Sequence, residues 1–351
     1  MRRPGPLFLW DTNSRHLVYG ALGVACLVAL AIVGPKLLAK QSGRNRLVVY
    51  GFSSQQEVMT QRILPGFERS WEAETGRELE IESLFGPSGT VAGQINLGAP
   101  ADVVLFSNAQ HVSWLVFGKR VRSGTQPILI GSTPMVIVTR PGNPAGISRL
   151  ADLAKPNVNL LHADPRSSGA GEWAVLAEYG NALLETGDPA AAKDQLQAIW
   201  RNVRLLGSSA RATMTLFELG AGDAFVTYEQ EAMLARERGV PLEIVVPPQT
   251  IIAEHVAVAV DDNVSLTERP MVEAFMHYLQ NDAQQAFSRY YLRPSTLESD
   301  SFPGLVKPFT VDDLGGWSQA YVMLVETLWR SEIEPRLQLE PAPMLPDTGE
   351  R

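Results

Sequence analysis

Residues 157–176 read NVNLLHADPRSSGAGEWAVL, and the fold turns on how they are parsed. The apolar run at 157–162 reads as a strand, a loop of Asp, Pro, Ser and Gly interrupts it, and a helix is expected over about 168–186. Strand, small-residue loop and helix make up the repeating unit of an α/β sheet with helical crossovers. In an open sheet of this kind the loop sits at the carboxyl edge. Helix starts there leave backbone N–H groups without acceptors, and ligands bind there.

The same alternation extends outward in both directions. Strands are expected at 47–52 (LVVYGF), 78–83 (ELEIES), 101–106 (ADVVLF) and 134–139 (PMVIVT). Further strands are expected at 203–206 (VRLL), 223–228 (DAFVTY), 242–246 (LEIVV) and 255–260 (HVAVAV). After the first strand, Met59, Ile63, Phe67 and Trp71 recur every fourth position, which is one face of a helix. Other helices are expected over about 189–201, 209–219, 229–238, 265–288 and 314–331.

Four strand-to-helix junctions carry serine: Ser53-Ser54, Gly86-Pro87-Ser88-Gly89, Arg166-Ser167-Ser168-Gly169-Ala170-Gly171 and Gly207-Ser208-Ser209. A single serine at such a place is ordinarily an N-cap. Four of them, two flanked by glycine, point to a cradle in which several helix N-termini and hydroxyls surround one anion. Capping and binding coexist, because the same N–H groups serve whichever acceptor is present. The segment from Gly169 to Ala174 also fits the G-x-G-x-x-G/A dinucleotide pattern, which requires an acid at a strand end about 20 residues on. Asp188 stands near that distance but lies in Gly187-Asp188-Pro189, between two expected helices, so the nicotinamide reading lacks its second half.

Composition narrows the classes further. Across 351 residues, 45% are apolar and 19% charged, which is ordinary for a globular α/β protein. A net charge of −8 argues against nucleic acid as a partner. It leaves a small anion open, because an anion site built from backbone N–H groups needs little formal charge. Cys26 is the sole cysteine, so no intrachain disulfide forms. The five histidines (His16, His111, His162, His255, His277) show no metal-ligand spacing, and neither a metal nor a cofactor is expected.

Residues 17–34 (LVYGALGVACLVALAIVG) carry no charge, follow Arg2, Arg3 and Arg15, and precede Lys36 and Lys40. As a helix the run is roughly 27 Å long, enough to cross a bilayer. It reads as a secretory signal or an uncleaved anchor, the anchor favoured because no clean A-x-A site follows. Either way, the body of the chain is exported. The segment EPAPMLPDTGER (340–351) has no periodicity, and a disordered tail is expected over 336–351.

Taken in order, the junctions resemble the sulfate and thiosulfate periplasmic binding protein family, over roughly residues 47–330. Phe85-Gly86-Pro87-Ser88-Gly89 resembles its HGGSG loop, and Asp164-Pro165-Arg166-Ser167-Ser168-Gly169-Ala170 its NP-x-(T/S)-SGG loop. Ser209-Ala210-Arg211-Ala212-Thr213 is similar to its GARGAT segment, and Tyr228-Glu229-Gln230-Glu231-Ala232 to its WENEA segment. Trp71-Glu72-Ala73-Glu74-Thr75-Gly76, Arg289-Tyr290-Tyr291-Leu292-Arg293-Pro294 and Gly315-Gly316-Trp317 match further family elements.

The resemblance implies an α/β type II periplasmic binding protein: two lobes, a mixed sheet in each, and the ligand cleft between them. The lobes would comprise 46–134 with 253–335, and 135–252, preceded by a transmembrane or signal helix within 1–45. It implies donors from Ser53 or Ser54, Ser88, Ser168, the N–H groups of Gly169, Ala170 and Ala210, and Tyr228 in place of a family tryptophan. Arg211 and Arg166 flank this cradle, Arg211 as supporting charge. Tyr290-Tyr291 is read as lobe packing, and Glu229 as structural.

Departures bear on anion choice. Pro87 removes an N–H, and Phe85, Ala170 and Tyr228 replace a histidine, a glycine and a tryptophan. Sulfate wants donors only. Tyr228 can also accept, which keeps phosphate and molybdate open. The function implied is an extracytoplasmic solute-binding protein serving the permease and ATPase of an ABC transporter; a membrane-tethered oxyanion sensor is the alternative. No nucleophile with a positioned base is found, so no enzyme is expected. Backbone donors do not titrate near neutral pH, so affinity is expected to vary little between pH 6 and pH 8.

Overall fold

The computed structural model describes residues 45–295, 302 and 304–340. The uncharged run at 17–34 with Cys26, and the tail beyond 340, lie outside the described residues. Among the described residues no helix is long and apolar enough to cross a membrane.

Every strand expected from the alternation is present. β1 is Asn45–Phe52, β2 Leu79–Gly86, β3 Val103–Phe106 and β4 Ile128–Thr139. β5 is Leu160–Ala163, β6 Val203–Gly207, β7 Ala224–Tyr228, β8 Glu243–Val245 and β9 Gln249–Ala259. Two short additions, β10 Arg293–Pro294 and β11 Lys307–Phe309, are too brief for a period to register in sequence.

The hydrogen-bonded order is β2-β1-β3-β9-β4-β7-β5-β6. β1 runs parallel to β3, β11 to β9, and β5 to β6 and β7, whereas β9 runs antiparallel to β3 and β4, and β4 antiparallel to β7. The sheet is therefore mixed. β4 changes partners midway: residues 128–134 pair with β9, and 135–139 pair with β7. The change falls at Pro134, which has no N–H to give to a ladder. Helices cover both faces, which is why β4 is apolar without alternation. Val136 and Val138 join one core cluster, and Met135 and Ile137 another.

The first helix, α1, opens as a 3-10 turn (Ser53–Gln55), passes through a π segment (Met59–Ile63) and closes as Leu64–Thr75. Its expected apolar face is in place, with Met59, Ile63 and Phe67 buried. The helices that follow are α2 Ser88–Asn96, α3 Gln110–Phe117, α4 Gly169–Thr186, α5 Pro189–Trp200, α6 Ala210–Glu218 and α7 Glu229–Glu237.

Two elements differ from expectation. The single helix expected over 265–288 is two, α8 Arg269–Gln280 and α9 Gln284–Arg289. The wholly buried Gln284 donates to the carbonyls of Ile130 and Leu279, and so holds the break in place. The last helix, α10, runs Trp317–Ala320 and continues as a π segment Tyr321–Ile333. This segment packs against α4 and α5, with Trp317 edge-on to Trp173 (4.6 Å) and Trp329 edge-on to Trp200 (5.4 Å). Of the tail expected to be disordered, 336–340 is described, and Glu340 N–H donates to the Arg204 carbonyl (2.8 Å).

Candidate functional site

The turns that follow β1, β2, β3, β5, β6 and β7 converge on one small cavity. Its wall comprises Phe52, Ser53, Ser54, Gly86, Pro87, Ser88, Ser107, Ser168, Gly169, Ala170, Ser209, Ala210 and Tyr228. The cavity is very small, about 10 Å³, far below the ~300–1,000 Å³ usual for organic ligands and cofactors. Every donor residue named from the sequence (Ser53, Ser54, Ser88, Ser168, Gly169, Ala170, Ala210, Tyr228) is on this wall.

The chemistry of the wall follows from how each helix begins. α1, α2, α4, α6 and α7 start at Ser53, Ser88, Gly169, Ala210 and Glu229, so their positive ends gather at one place. Ser168 caps α4 by accepting from Ala170 N–H (3.2 Å), and Ser209 caps α6 by accepting from Ala212 N–H (3.1 Å). Ala170 N–H is thereby engaged by the cap, but each serine keeps its own hydroxyl hydrogen for a further acceptor. Gly169 and Ala210 are first-turn residues, whose N–H groups have no acceptor within the helix. A Cβ on Gly169 would fall 1.9 Å from Ser107 Oγ. Only hydrogen fits there, and the end of β3 therefore touches the start of α4.

Tyr228 is buried, edge-on to Phe52 (6.5 Å) and His255 (4.9 Å). Burial pushes its phenol up, and the nearby Ser107 hydroxyl opposes only in part, so Tyr228 is a neutral O–H. Apart from each other, neither the Tyr228 hydroxyl nor that of Ser107 has a hydrogen-bond partner among the described residues. Burial also pushes His255 down to about 3, leaving it neutral. Its Nδ1 lies 3.4 Å from Gln55 Nε2, which donates to Gln230 Oε1 (2.8 Å). No charged side chain is among the described residues of the wall.

The flanking charges are used elsewhere. Arg211 is absent from the wall; its Nε lies 2.5 Å from Oε1 of the wholly buried Glu231, with Glu57 at 3.8 Å. It neutralises a buried carboxylate behind the site. Arg166 pairs with Asp164 (2.7 Å) and Glu334 (3.0 Å). Glu229 accepts from Arg293 (3.0 Å), and Tyr290 donates to Gln61 (2.8 Å). Asp188 caps α5 by accepting from Ala190 N–H (2.9 Å), so it has a structural use unrelated to a ribose.

Sequence reasoning missed Ser107 and the network beneath it. Ser107 follows β3 just as Ser53 follows β1, so the rule applied to the other junctions would have found it. Ser107 N–H donates to Ser88 Oγ (3.2 Å), which lies 2.9 Å from His111 Nδ1. His111 Nε2 lies 3.2 Å from Glu172 Oε1, and Glu172 Oε2 accepts from Asn108 Nδ2 (2.6 Å). Nothing in a linear reading joins His111 to Glu172, which is 61 residues away.

A family model described as bacterial extracellular solute-binding protein matches residues 47–293. The chain is 34% identical over 277 residues to the sulfate-binding protein of Salmonella typhimurium, covering 72% of this chain and 82% of that one. It is 31% identical over 273 residues to the thiosulfate-binding protein of Pseudomonas aeruginosa, covering 72% and 81%. Among solved structures, the sulfate-binding protein SubI from Mycobacterium tuberculosis superposes with a TM-score of 0.73 at 27% identity, covering 80% of this chain and 99% of that one.

Proposed function

We propose a function from one premise: the chain belongs to the sulfate- and thiosulfate-binding proteins within the bacterial extracellular solute-binding family. It captures sulfate or thiosulfate outside the cytoplasm and presents it to the permease and ATPase of an ABC transporter. The observation that carries the chemistry is a wall of uncharged donors: helix-start N–H groups, serine hydroxyls and the neutral O–H of Tyr228. Such a wall suits a fully deprotonated tetrahedral anion, and the absence of a carboxylate from it avoids repulsion.

In this reading residues 46–134 with 253–335 form one lobe and 135–252 the other, with β4 and β9 crossing between them. Gly89 N–H donates to Ser167 O (2.9 Å), Trp173 Nε1 to Ser107 O (2.8 Å) and Gln55 to Gln230 (2.8 Å). Each of these bonds joins one lobe to the other around the cavity, as expected of a closed form. The α10 segment, counted with the first lobe in this division, packs on α4 and α5 of the second and meets the first through the Trp114–Tyr321 ring contact (5.8 Å). The 17–34 run is read as the export signal, either cleaved or kept as a tether.

One observation favours a second reading. Ser88, His111 and Glu172 stand in hydrogen-bond contact, as a nucleophile, a base and an orienting carboxylate would. That arrangement would belong to a hydrolase of sulfate or phosphate esters, and turnover of such esters would establish it. Family membership supports binding without turnover, so no ester is expected to be cleaved.

The test is calorimetry of the protein against sulfate, thiosulfate, molybdate and phosphate. Heat with sulfate or thiosulfate is expected, and silence with all four would end the reading. Ser168→Ala should weaken the binding by about 1.5–3 kcal/mol, the worth of a hydrogen bond to a charged group.

A further inference from the structure

A second cavity lies at the other end of β6, among the end of α5, the start of β6 and the chain that leaves α10. It holds about 390 Å³, within the ~300–1,000 Å³ usual for organic ligands. It shares no lining residue with the cavity at the strand ends. Arg204, the second residue of β6, lines this one, whereas Ser209, just beyond the last residue of β6, lines the other.

Three arginines line this cavity: Arg201, Arg204 and Arg336. Among the described residues, none of their side chains has an ion-pair or hydrogen-bond partner. The acid on the same wall, Glu332, is taken by Lys193 (2.7 Å). Arginines elsewhere in the chain do find carboxylates, as Arg166 finds Asp164 and Arg211 finds Glu231. The chain has 38 acidic residues against 30 Lys and Arg, so three cations gathered without a carboxylate are not a matter of supply. Like charges brought together repel, and an anion from outside would neutralise all three at once.

The backbone that presents these arginines is fixed in place. Asn202 donates to the carbonyls of Leu153 and Lys155 (2.8 Å each), which holds the turn between Arg201 and Arg204. Leu337 N–H donates to the Glu334 carbonyl (3.1 Å) and closes the turn that carries Arg336. Glu340 N–H donates to the Arg204 carbonyl (2.8 Å), tying that stretch to β6. A ligand therefore meets a backbone already arranged, which lowers the cost of binding. Between the arginines lie apolar walls: Trp200 and Ile333 are buried, and Leu337 is half-buried.

We propose that this cavity binds an organic phosphate monoester, its phosphoryl group held by Arg201, Arg204 and Arg336 and its carbon body lying against Trp200, Ile333 and Leu337. A guanidinium presents a planar fork of N–H donors that matches phosphate oxygens in pairs. A monoester offers three free oxygens to three such forks, whereas a carboxylate offers two. Inorganic phosphate has the charge but leaves the apolar walls uncovered. The same monoester group occurs on small soluble molecules and as the head of a phosphatidic lipid. The inference stands apart from the oxyanion reading, because the two cavities are lined by different residues.

The Trp200 indole, which lines the cavity and donates to Glu178 (2.8 Å), is a local reporter. Its N–H resonance in the full-length protein should shift on titration with glycerol 3-phosphate or with soluble dihexanoyl phosphatidic acid. Tighter binding of the second would identify a lipid head as the source, and equal binding a soluble ester; no shift with either overturns the proposal. Arg204→Gln should raise Kd about tenfold, and the triple change of Arg201, Arg204 and Arg336 to Gln should abolish the shift. A shift that survives the triple change places the ester elsewhere and also overturns it. If inorganic phosphate binds as tightly as the esters, the apolar walls contribute nothing and the organic assignment fails. Sulfate binding should be unchanged in the triple variant, which shows that it is folded. Ser168→Ala should leave the Trp200 shift unchanged, so loss of sulfate binding and loss of ester binding are separate results.

Discussion

His255 stands behind the cavity wall, edge-on to Phe52 (4.6 Å) and Tyr228, and burial pushes its imidazole from an ordinary 6.5 down to about 3. A histidine with a depressed folded value contributes stability that is fully present above about 6.5 and is lost as pH falls toward about 3. At pH 5 the unfolded chain has taken up a proton that the folded chain refuses, a difference of about 2 kcal/mol. Urea unfolding should therefore show the parent losing about 2 kcal/mol more than His255→Gln between pH 7 and pH 5. Equal losses would mean that the burial of this ring does not govern its titration. Single residues were unevenly legible in the sequence. Ser53, Ser88 and Ser168 announce themselves by following strands, whereas Arg211 offers no linear sign that its partner is the buried Glu231 rather than a bound anion.

Helix starts are the elements that make the site, and α4 is the most constrained of them. Its first residue meets the end of β3 so closely that a methyl group on Gly169 would collide with Ser107 Oγ at 1.9 Å. Gly169→Ala should cost about 1–3 kcal/mol of stability through overpacking and weaken sulfate binding more than Ser168→Ala does. The first variant moves a whole helix start, and the second removes one hydroxyl. Denaturant melts with anion titrations of the two variants check this, and a Gly169→Ala protein binding as tightly as the parent would refute it. At this scale the sequence was largely readable, because period, glycine and capping residues act over a few positions. The break between α8 and α9 was not. It depends on Gln284 reaching the Ile130 carbonyl, 154 residues away.

At the scale of the whole molecule, the proposed two-lobe reading couples the anion to the joining of its halves. The bonds from Gly89, Trp173 and Gln55 close the chain around the cavity. An anion that binds only the closed, folded chain stabilises it by mass action. Sulfate at a hundred times its Kd should add about 2.7 kcal/mol to unfolding and reduce the radius of gyration in solution scattering. No gain in stability at that concentration would contradict binding to the folded state.

The sequence by itself determined the α/β alternation, the strand-to-helix junctions and the kind of donor each supplies, because those depend on local period and on residue types a few positions apart. It did not determine that Ser88 meets His111, that His111 meets Glu172, or that the α10 segment lies on α4 and α5. Those outcomes were decided by tertiary structure. A buried polar atom takes the partner that packing places within about 3 Å, and nothing in the linear order records which distant residue that is.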